Sequence, residues 1–143
     1  MVATMIEQDI RKAQEAVIPQ KRRRGLSRLW HATQYSWAGL RAAVRESPAF
    51  RQELTLTVIG IPLAILLGRT WLETVVLSTV LVLMMIVELL NSGIECAIDH
   101  TSLELHPLAK MAKDFGSAAV FLSTLLCAVT WFTMLWVHFA NQF

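Results

Sequence analysis

Three long apolar runs constrain this chain more than any other feature of its sequence. Residues 54–68, 74–87 and 115–139 contain no Asp, Glu, Lys or Arg. A helix needs about 20 predominantly apolar residues to cross a bilayer, and a helix of a soluble bundle would carry a polar face that these runs lack. The third run is long enough alone, and the first two gain length from flanking residues. The sequence therefore predicts an all-α integral membrane protein with three transmembrane helices rather than a soluble helical core.

The predicted organisation is a mobile basic tail over residues 1–25 and one membrane domain over 26–143. Within that domain we expect membrane helices over 48–68, 71–100 and 108–139. Residues 26–46 predict an amphipathic helix, because apolar residues that include two tryptophans recur at helical spacing opposite arginines. This pattern is typical of a helix lying in the membrane interface, and packing on another protein face is the alternative.

Basic residues are concentrated before the first span and again at Lys110 and Lys113, whereas the connection between the first two spans holds only Arg69 and Glu73. The positive-inside rule then predicts a multi-pass protein with a cytoplasmic N-terminus and a C-terminus on the outer, periplasmic side. The basic run over 21–24 suits anionic lipid headgroups, and we favour that interpretation over a nucleic-acid partner.

A polar stripe continues directly from the second apolar run. Its members, at offsets 0, 3, 4, 7 and 11, are Glu88, Asn91, Ser92, Glu95 and Asp99. At about 100° per residue these offsets fall on one narrow face of a helix. Burying ionised carboxylates costs several kcal/mol each unless they are paired or bind a cation, so this stripe is the candidate functional site.

The first turns of the third span carry a second polar stripe. Its members are Lys110, Lys113, Asp114 and Ser117. Across an antiparallel helix pair we expect Glu88 and Glu95 to face Lys113 and Asp114 near the cytoplasmic surface. Carboxylates can hold Mg²⁺ with a nucleotide's phosphates, a lysine can balance phosphate charge, and the deeper Glu88 can take a proton from a lipid hydroxyl. The alternative is a non-catalytic membrane scaffold in which these stripes only fix helix packing.

Five parts of the sequence resemble the prokaryotic diacylglycerol kinase family, whose members are small integral membrane enzymes. They are Tyr-Ser-Trp-Ala-Gly-Leu-Arg-Ala-Ala at 35–43, Ala-Phe-Arg-Gln-Glu at 49–53, Val-Glu-Leu-Leu-Asn-Ser-Gly-Ile-Glu at 87–95, Asp99, and Ala-Lys-Asp-Phe-Gly-Ser-Ala-Ala at 112–119. The resemblance implies transfer of a phosphoryl group from ATP, with Mg²⁺ as cofactor, to diacylglycerol, giving phosphatidic acid. It also implies a homotrimer in the bacterial inner membrane, with three spans and an interfacial helix per subunit.

The resemblance further implies roles for individual residues. Glu88 is similar to the general base, and Glu95 to a ligand of the metal. The implied nucleotide-binding positions are Arg28, Tyr35, Glu95, Glu104, His106, Lys113 and Asp114. The implied substrate positions are Trp37, Arg51, Glu53, Asn91, Ser117 and Trp131.

The sequence departs from the family pattern at one metal position. The family places a second metal-binding glutamate three residues before the Phe of Ala-Phe-Arg, where this chain has Ser47. Glu46 lies one residue earlier, and we expect a local shift at Pro48 to bring it into place as the second ligand. The alternative is a metal that relies on Glu95 and the nucleotide.

A sister branch of the family phosphorylates undecaprenol. His-Pro-Leu-Ala-Lys at 106–110 resembles that branch, whereas Tyr-Ser-Trp and Gly-Ser-Ala-Ala resemble the diacylglycerol branch. We favour diacylglycerol as the substrate.

Overall fold

The computed structural model of the protein describes residues 26–101 and 106–140, and the elements in these two ranges are α-helices. They are α1 (Leu26–Glu46), α2 (Pro48–Leu67), α3 (Trp71–Thr101) and α4 (Pro107–Ala140). The last three are long and apolar enough to cross a membrane, which confirms the predicted all-α membrane fold. The predicted tail over residues 1–25 lies outside the described residues, and the trimer stays a prediction.

The chain divides into two compact units, residues 1–41 and 42–143, with the boundary inside α1. Within the first unit the hydroxyl of Thr33 donates to the carbonyl of Leu29 at 3.1 Å, one turn back along the helix. Such bonds satisfy a side-chain hydroxyl inside a helix without any other partner. The location of α1 at a membrane interface stays a prediction.

One residue, Ser47, separates α1 from α2. Its backbone is extended, at φ −96° and ψ 112°, and its side chain accepts a hydrogen bond from the Phe50 N–H. Pro48 occupies the first turn of α2, where its fixed φ suits a helix and its missing N–H removes no bond. The Ser-Pro sequence therefore ends one helix and begins the next within a single residue.

The second unit is organised around α3, which packs against both α2 and α4. The buried side chains Val80, Leu81 and Met84 of α3 form its core with Cys127 of α4. This core stripe of α3 continues at helical spacing into the buried polar residues Glu88 and Asn91. The face of α3 that is apolar in the middle of the bundle is therefore polar toward its C-terminus.

The opposite end of the bundle is closed by contacts around the α2–α3 connection. The guanidinium of Arg69 donates to the carbonyl of His138 near the end of α4 at 2.8 Å. The hydroxyl of Thr70 accepts the Glu73 N–H at 3.2 Å and so caps the start of α3. The polar stripe and these connecting contacts consequently lie at the two opposite ends of α3.

Candidate active site

Glu88 is the most buried carboxylate that the structure describes, with a relative exposure of 4%. Its Oε1 accepts a hydrogen bond from the hydroxyl of Ser47 at 3.0 Å, across from α3 to the start of α2. The hydroxyl of Ser92, one turn along α3, lies 3.5 Å from the same oxygen. A buried carboxylate needs such donors because it has lost its water, so Glu88 is oriented by two hydroxyls.

A second carboxylate, Glu53 of α2, lies close enough to Glu88 for the two groups to interact electrostatically. Its Oε2 atom is buried and has no hydrogen-bond partner among the described residues. The first turns of α2 and the beginning of the α3 stripe therefore bring together two predicted site residues from different helices. A carboxylate in such a pair can accept a proton from a hydroxyl that comes within hydrogen-bond distance of it.

Asn91 links this buried region to the exposed end of the stripe. Its side-chain Nδ2 donates to Glu95 Oε1 at 3.1 Å, whereas its buried Oδ1 has no hydrogen-bond partner in the described ranges. The buried Gly116 of α4 lies directly against this amide, because a Cβ placed on Gly116 would come 2.1 Å from Asn91 Oδ1. Any larger residue at this position would have to displace the Asn91 amide, so Gly116 lets α4 approach α3 closely enough to cover it.

Gly116→Ala is expected to destabilise the protein by about 1–3 kcal/mol, since Asn91 has to leave its place and its bond to Glu95. Thermal unfolding in detergent measures this change. Gly93→Ala is the matched control, because a Cβ on Gly93 meets nothing within 4 Å. There the gain in helix propensity is expected to stabilise the protein by about 0.5–1 kcal/mol. Equal unfolding temperatures for the two variants would contradict the close approach at Gly116.

The position of Lys113 differs from the expectation that it faces both Glu88 and Glu95. Its Nζ donates to Asp99 Oδ1 at 2.5 Å, and Glu95 is near enough to contribute electrostatically. Asp99 follows Glu88 by eleven residues, which is about 16 Å along a helix. The structure therefore places Lys113 with the exposed carboxylates of the stripe and away from the buried one.

The other predicted nucleotide-binding residues near the start of α4 are exposed. Asp114 faces Lys110 of its own helix, 2.6 Å from its Nζ, rather than the α3 stripe. The ring Nδ1 of His106 accepts the Leu108 N–H at 3.2 Å and so caps the first turn of α4. Glu104 lies outside the described residues.

Glu46 has a different environment from the one expected of a metal ligand. Its carboxylate pairs with Arg45 Nε at 3.3 Å, and its side chain is 76% exposed. Within residues 26–101 and 106–140, no three His, Cys, Asp or Glu side chains converge as a metal site. In the connection between α1 and α2, the side chain that contacts the α3 stripe is the hydroxyl of Ser47. The carboxylate of Glu46 pairs with Arg45 instead.

The side chains of Trp131 and Arg51 donate to backbone carbonyls of neighbouring helices. The Trp131 Nε1 donates to the carbonyl of Leu77 at 3.3 Å, and its ring packs on the core. Leu77 precedes Glu88 by eleven residues, which is about 16 Å along the helix. Arg51 Nη1 donates to the carbonyls of Val44 and Arg45 at 3.2 and 3.0 Å, which satisfies the C-terminal end of α1.

The remaining predicted positions lie on the helix surfaces. Ser117 is exposed and follows Gly116 on α4. Tyr35 and Trp37 lie in α1, within the first unit, where the rings of His31 and Tyr35 are 6.5 Å apart between centroids. Arg28 belongs to the same helix, but its side chain is outside the described part of the protein.

Ser47 is a functional candidate that was not among the site residues predicted from the sequence. A serine directly before a proline predicts a helix N-cap. The side-chain oxygen of an N-cap residue lies at the start of the helix, where it accepts a backbone N–H of the first turn. That signal locates the hydroxyl at the start of α2. Its partner Glu88 is 41 residues away in sequence, so this contact could not be predicted without knowing how the helices pack.

Comparisons with known proteins identify the family to which this chain is similar. A family profile described as prokaryotic diacylglycerol kinase matches residues 34–135. The chain is 50% identical over 117 residues to a diacylglycerol kinase of Pseudomonas aeruginosa, covering 82% of this chain and 95% of the relative. It is 42% identical over 115 residues to a diacylglycerol kinase of Escherichia coli K12, covering 80% and 94%. It is also 42% identical over 114 residues to one of Helicobacter pylori, covering 80% and 88%.

Proposed function

The chain belongs to the prokaryotic diacylglycerol kinase family, and from that premise we propose which of its residues carry out phosphoryl transfer from ATP to diacylglycerol. The protein is a membrane-embedded kinase that phosphorylates diacylglycerol. The observation that carries the residue assignment is the burial of Glu88 beside Ser47 and Glu53, at one end of a bundle of membrane-spanning helices.

In the proposed reaction Glu88 is the general base. It takes the proton from the free hydroxyl of diacylglycerol while the hydroxyl oxygen attacks the terminal phosphorus of ATP. The bond from that phosphorus to the bridging oxygen breaks, and ADP leaves with the electron pair. The products are phosphatidic acid and ADP. Burial supports this role because a carboxylate shielded from water meets a lipid hydroxyl without competing solvent.

Glu95 is the proposed carboxylate for the metal that accompanies the nucleotide. It follows Glu88 by seven residues, or about 10 Å along the helix, so the phosphates can lie between a lipid at Glu88 and the exposed end of α3. Mg²⁺ typically binds one or two protein carboxylates together with substrate phosphates, and the exposed Glu95 fits that donor set. Bound there, the ion would neutralise charge on the transferred phosphoryl group.

Lys113 is the proposed counter-charge for the phosphates. Its current partner Asp99 is 65% exposed, so exchanging this carboxylate for a phosphate requires little desolvation. Asp114, His106 and Glu104 complete the proposed nucleotide contacts from the α3–α4 connection. Arg28, Tyr35 and Trp37 are proposed to contribute from α1.

We propose that the protein works in the bacterial inner membrane with its N-terminus and the α3–α4 connection in the cytoplasm. The distribution of basic residues supports this orientation, since 12 of the 13 Lys and Arg residues lie at positions 11–51 or 110–113. A homotrimer is also proposed, with residues 26–143 as one membrane kinase domain. Many large apolar side chains of α4 are exposed, which leaves surface for lipid or for other subunits.

The purified protein tests this function in mixed micelles with labelled ATP and Mg²⁺, offered diacylglycerol and undecaprenol in parallel. We expect phosphatidic acid as the main labelled product, because the curated relatives described above are diacylglycerol kinases. Preferential labelling of undecaprenol would instead assign the chain to the sister activity. Absence of any lipid phosphate would support a scaffold with no kinase activity.

A further inference from the structure

We propose that Ser47 is a positioning residue that holds the Glu88 carboxylate in the orientation needed to accept the proton of the lipid hydroxyl. This inference rests on the proposed function of Glu88. Ser47 acts through Glu88 and is not assigned any contact with the lipid or the nucleotide.

The Ser47 hydroxyl is held rigidly by the start of α2. Its Oγ accepts the backbone N–H of Phe50 at 3.0 Å. Its own backbone N–H donates to the Ala43 carbonyl at 2.9 Å, and its carbonyl accepts the Arg51 N–H at 3.3 Å. Pro48 also disfavours a helical backbone at the residue before it, which supports the extended conformation of Ser47.

The hydrogen of this hydroxyl is directed at Glu88. A serine hydroxyl has one hydrogen to donate, and its oxygen is already occupied as an acceptor from Phe50. The donor distance of 3.0 Å to Glu88 Oε1 compares with 3.5 Å from Ser92, which is at the outer limit for a hydrogen bond. The stronger support for the carboxylate therefore comes from α2 and not from its own helix.

Loss of this support is expected to lower kcat while leaving the KM for ATP nearly unchanged. A misplacement of about 1 Å at a reacting group can reduce the rate about 100-fold, so we expect a loss between about tenfold and 100-fold. The KM for ATP should stay unchanged because the two proposed nucleotide-side residues do not depend on Ser47. Glu95 is paired with Asn91, and Lys113 with Asp99.

The experiment compares Ser47→Gly and Ser47→Thr with the wild-type protein. Glycine is tolerated as an N-cap, so Ser47→Gly removes the donor to Glu88 with little loss of helix capping. Threonine retains the hydroxyl, and Ser47→Thr should recover most of kcat. Thr70→Ala is the matched control, because it removes a capping hydroxyl at the opposite end of the bundle. We expect this control to retain the wild-type kcat and KM.

A measurement without turnover supplies the second readout. In a double-mutant cycle of Ser47→Gly with Glu88→Met, unfolding in detergent should show coupling, since methionine fills the space but accepts no strong hydrogen bond. Additive effects would overturn the proposed contact. A kcat for Ser47→Gly equal to wild type, or a loss equal to that of Thr70→Ala, would overturn the positioning role.

These results separate failure of the inference from failure of the proposed function. If the wild-type protein makes phosphatidic acid and Glu88→Gln does not, normal turnover by Ser47→Gly rejects only the role of Ser47. If the wild-type protein makes no lipid phosphate, or if Glu88→Gln remains active, the proposed function of Glu88 fails and the role of Ser47 fails with it.

Discussion

Glu88→Gln is expected to lower kcat for diacylglycerol about 100- to 10,000-fold, the range that a general base contributes. The amide oxygen of glutamine can still accept the Ser47 hydroxyl, so the fold and the site geometry should persist, but the neutral amide cannot take the lipid proton. Steady-state formation of labelled phosphatidic acid measures the loss. Thermal unfolding and size-exclusion chromatography in detergent then establish that the variant remains folded.

The matched control for this substitution is Glu73→Gln. Glu73 lies at the other end of α3, where its carboxylate accepts the Arg69 N–H at 2.8 Å, and a glutamine oxygen can replace it there. Activity of Glu73→Gln should therefore match wild type. Retained turnover by Glu88→Gln would remove the base assignment. Loss of assembly in Glu88→Gln would instead support a role for the stripe in helix packing alone.

Glu95→Ala is expected to raise the Mg²⁺ concentration for half-maximal activity at least about tenfold, as loss of a group that supports a metal typically does. The side chain is exposed, and its one described hydrogen bond is accepted from Nδ2 of the buried Asn91. Because that donor loses its partner, we expect the removal of Glu95 to lower stability by about 1–3 kcal/mol, which thermal unfolding in detergent measures. The measurement is a Mg²⁺ titration of phosphatidic acid formation at a fixed, saturating concentration of ATP. A complete loss of activity at all Mg²⁺ concentrations is the stronger form of the same result.

Glu46→Gln, titrated in parallel, tests the second ligand expected from the family pattern. Because Glu46 is exposed and paired with Arg45, we expect it to shift the Mg²⁺ requirement less than Glu95→Ala does. A larger change in the Mg²⁺ requirement for Glu46→Gln than for Glu95→Ala would support Glu46 as a metal ligand. An unchanged Mg²⁺ dependence in Glu95→Ala would contradict the ligand role of Glu95.

The placement of Glu46 and Ser47 illustrates the limit of a prediction from sequence. The residue pattern correctly located a helix break at this point, and family similarity directed attention to a missing carboxylate. Which side chain meets Glu88 depends on how α2 is rotated about its own axis as it leaves Ser47. Periodicity along one helix gives the face that is buried but carries no information about the rotation of its neighbour.

The sequence by itself determined the helical class of the protein, its three apolar spans and the polar stripe on α3, because these follow from hydrophobic runs and from helical spacing within one segment. Only the tertiary structure decided that Lys113 meets Asp99 and that Ser47 reaches Glu88. Those contacts depend on the axial shift between packed helices, and a shift of one turn exchanges every partner while leaving each helix's own pattern unchanged.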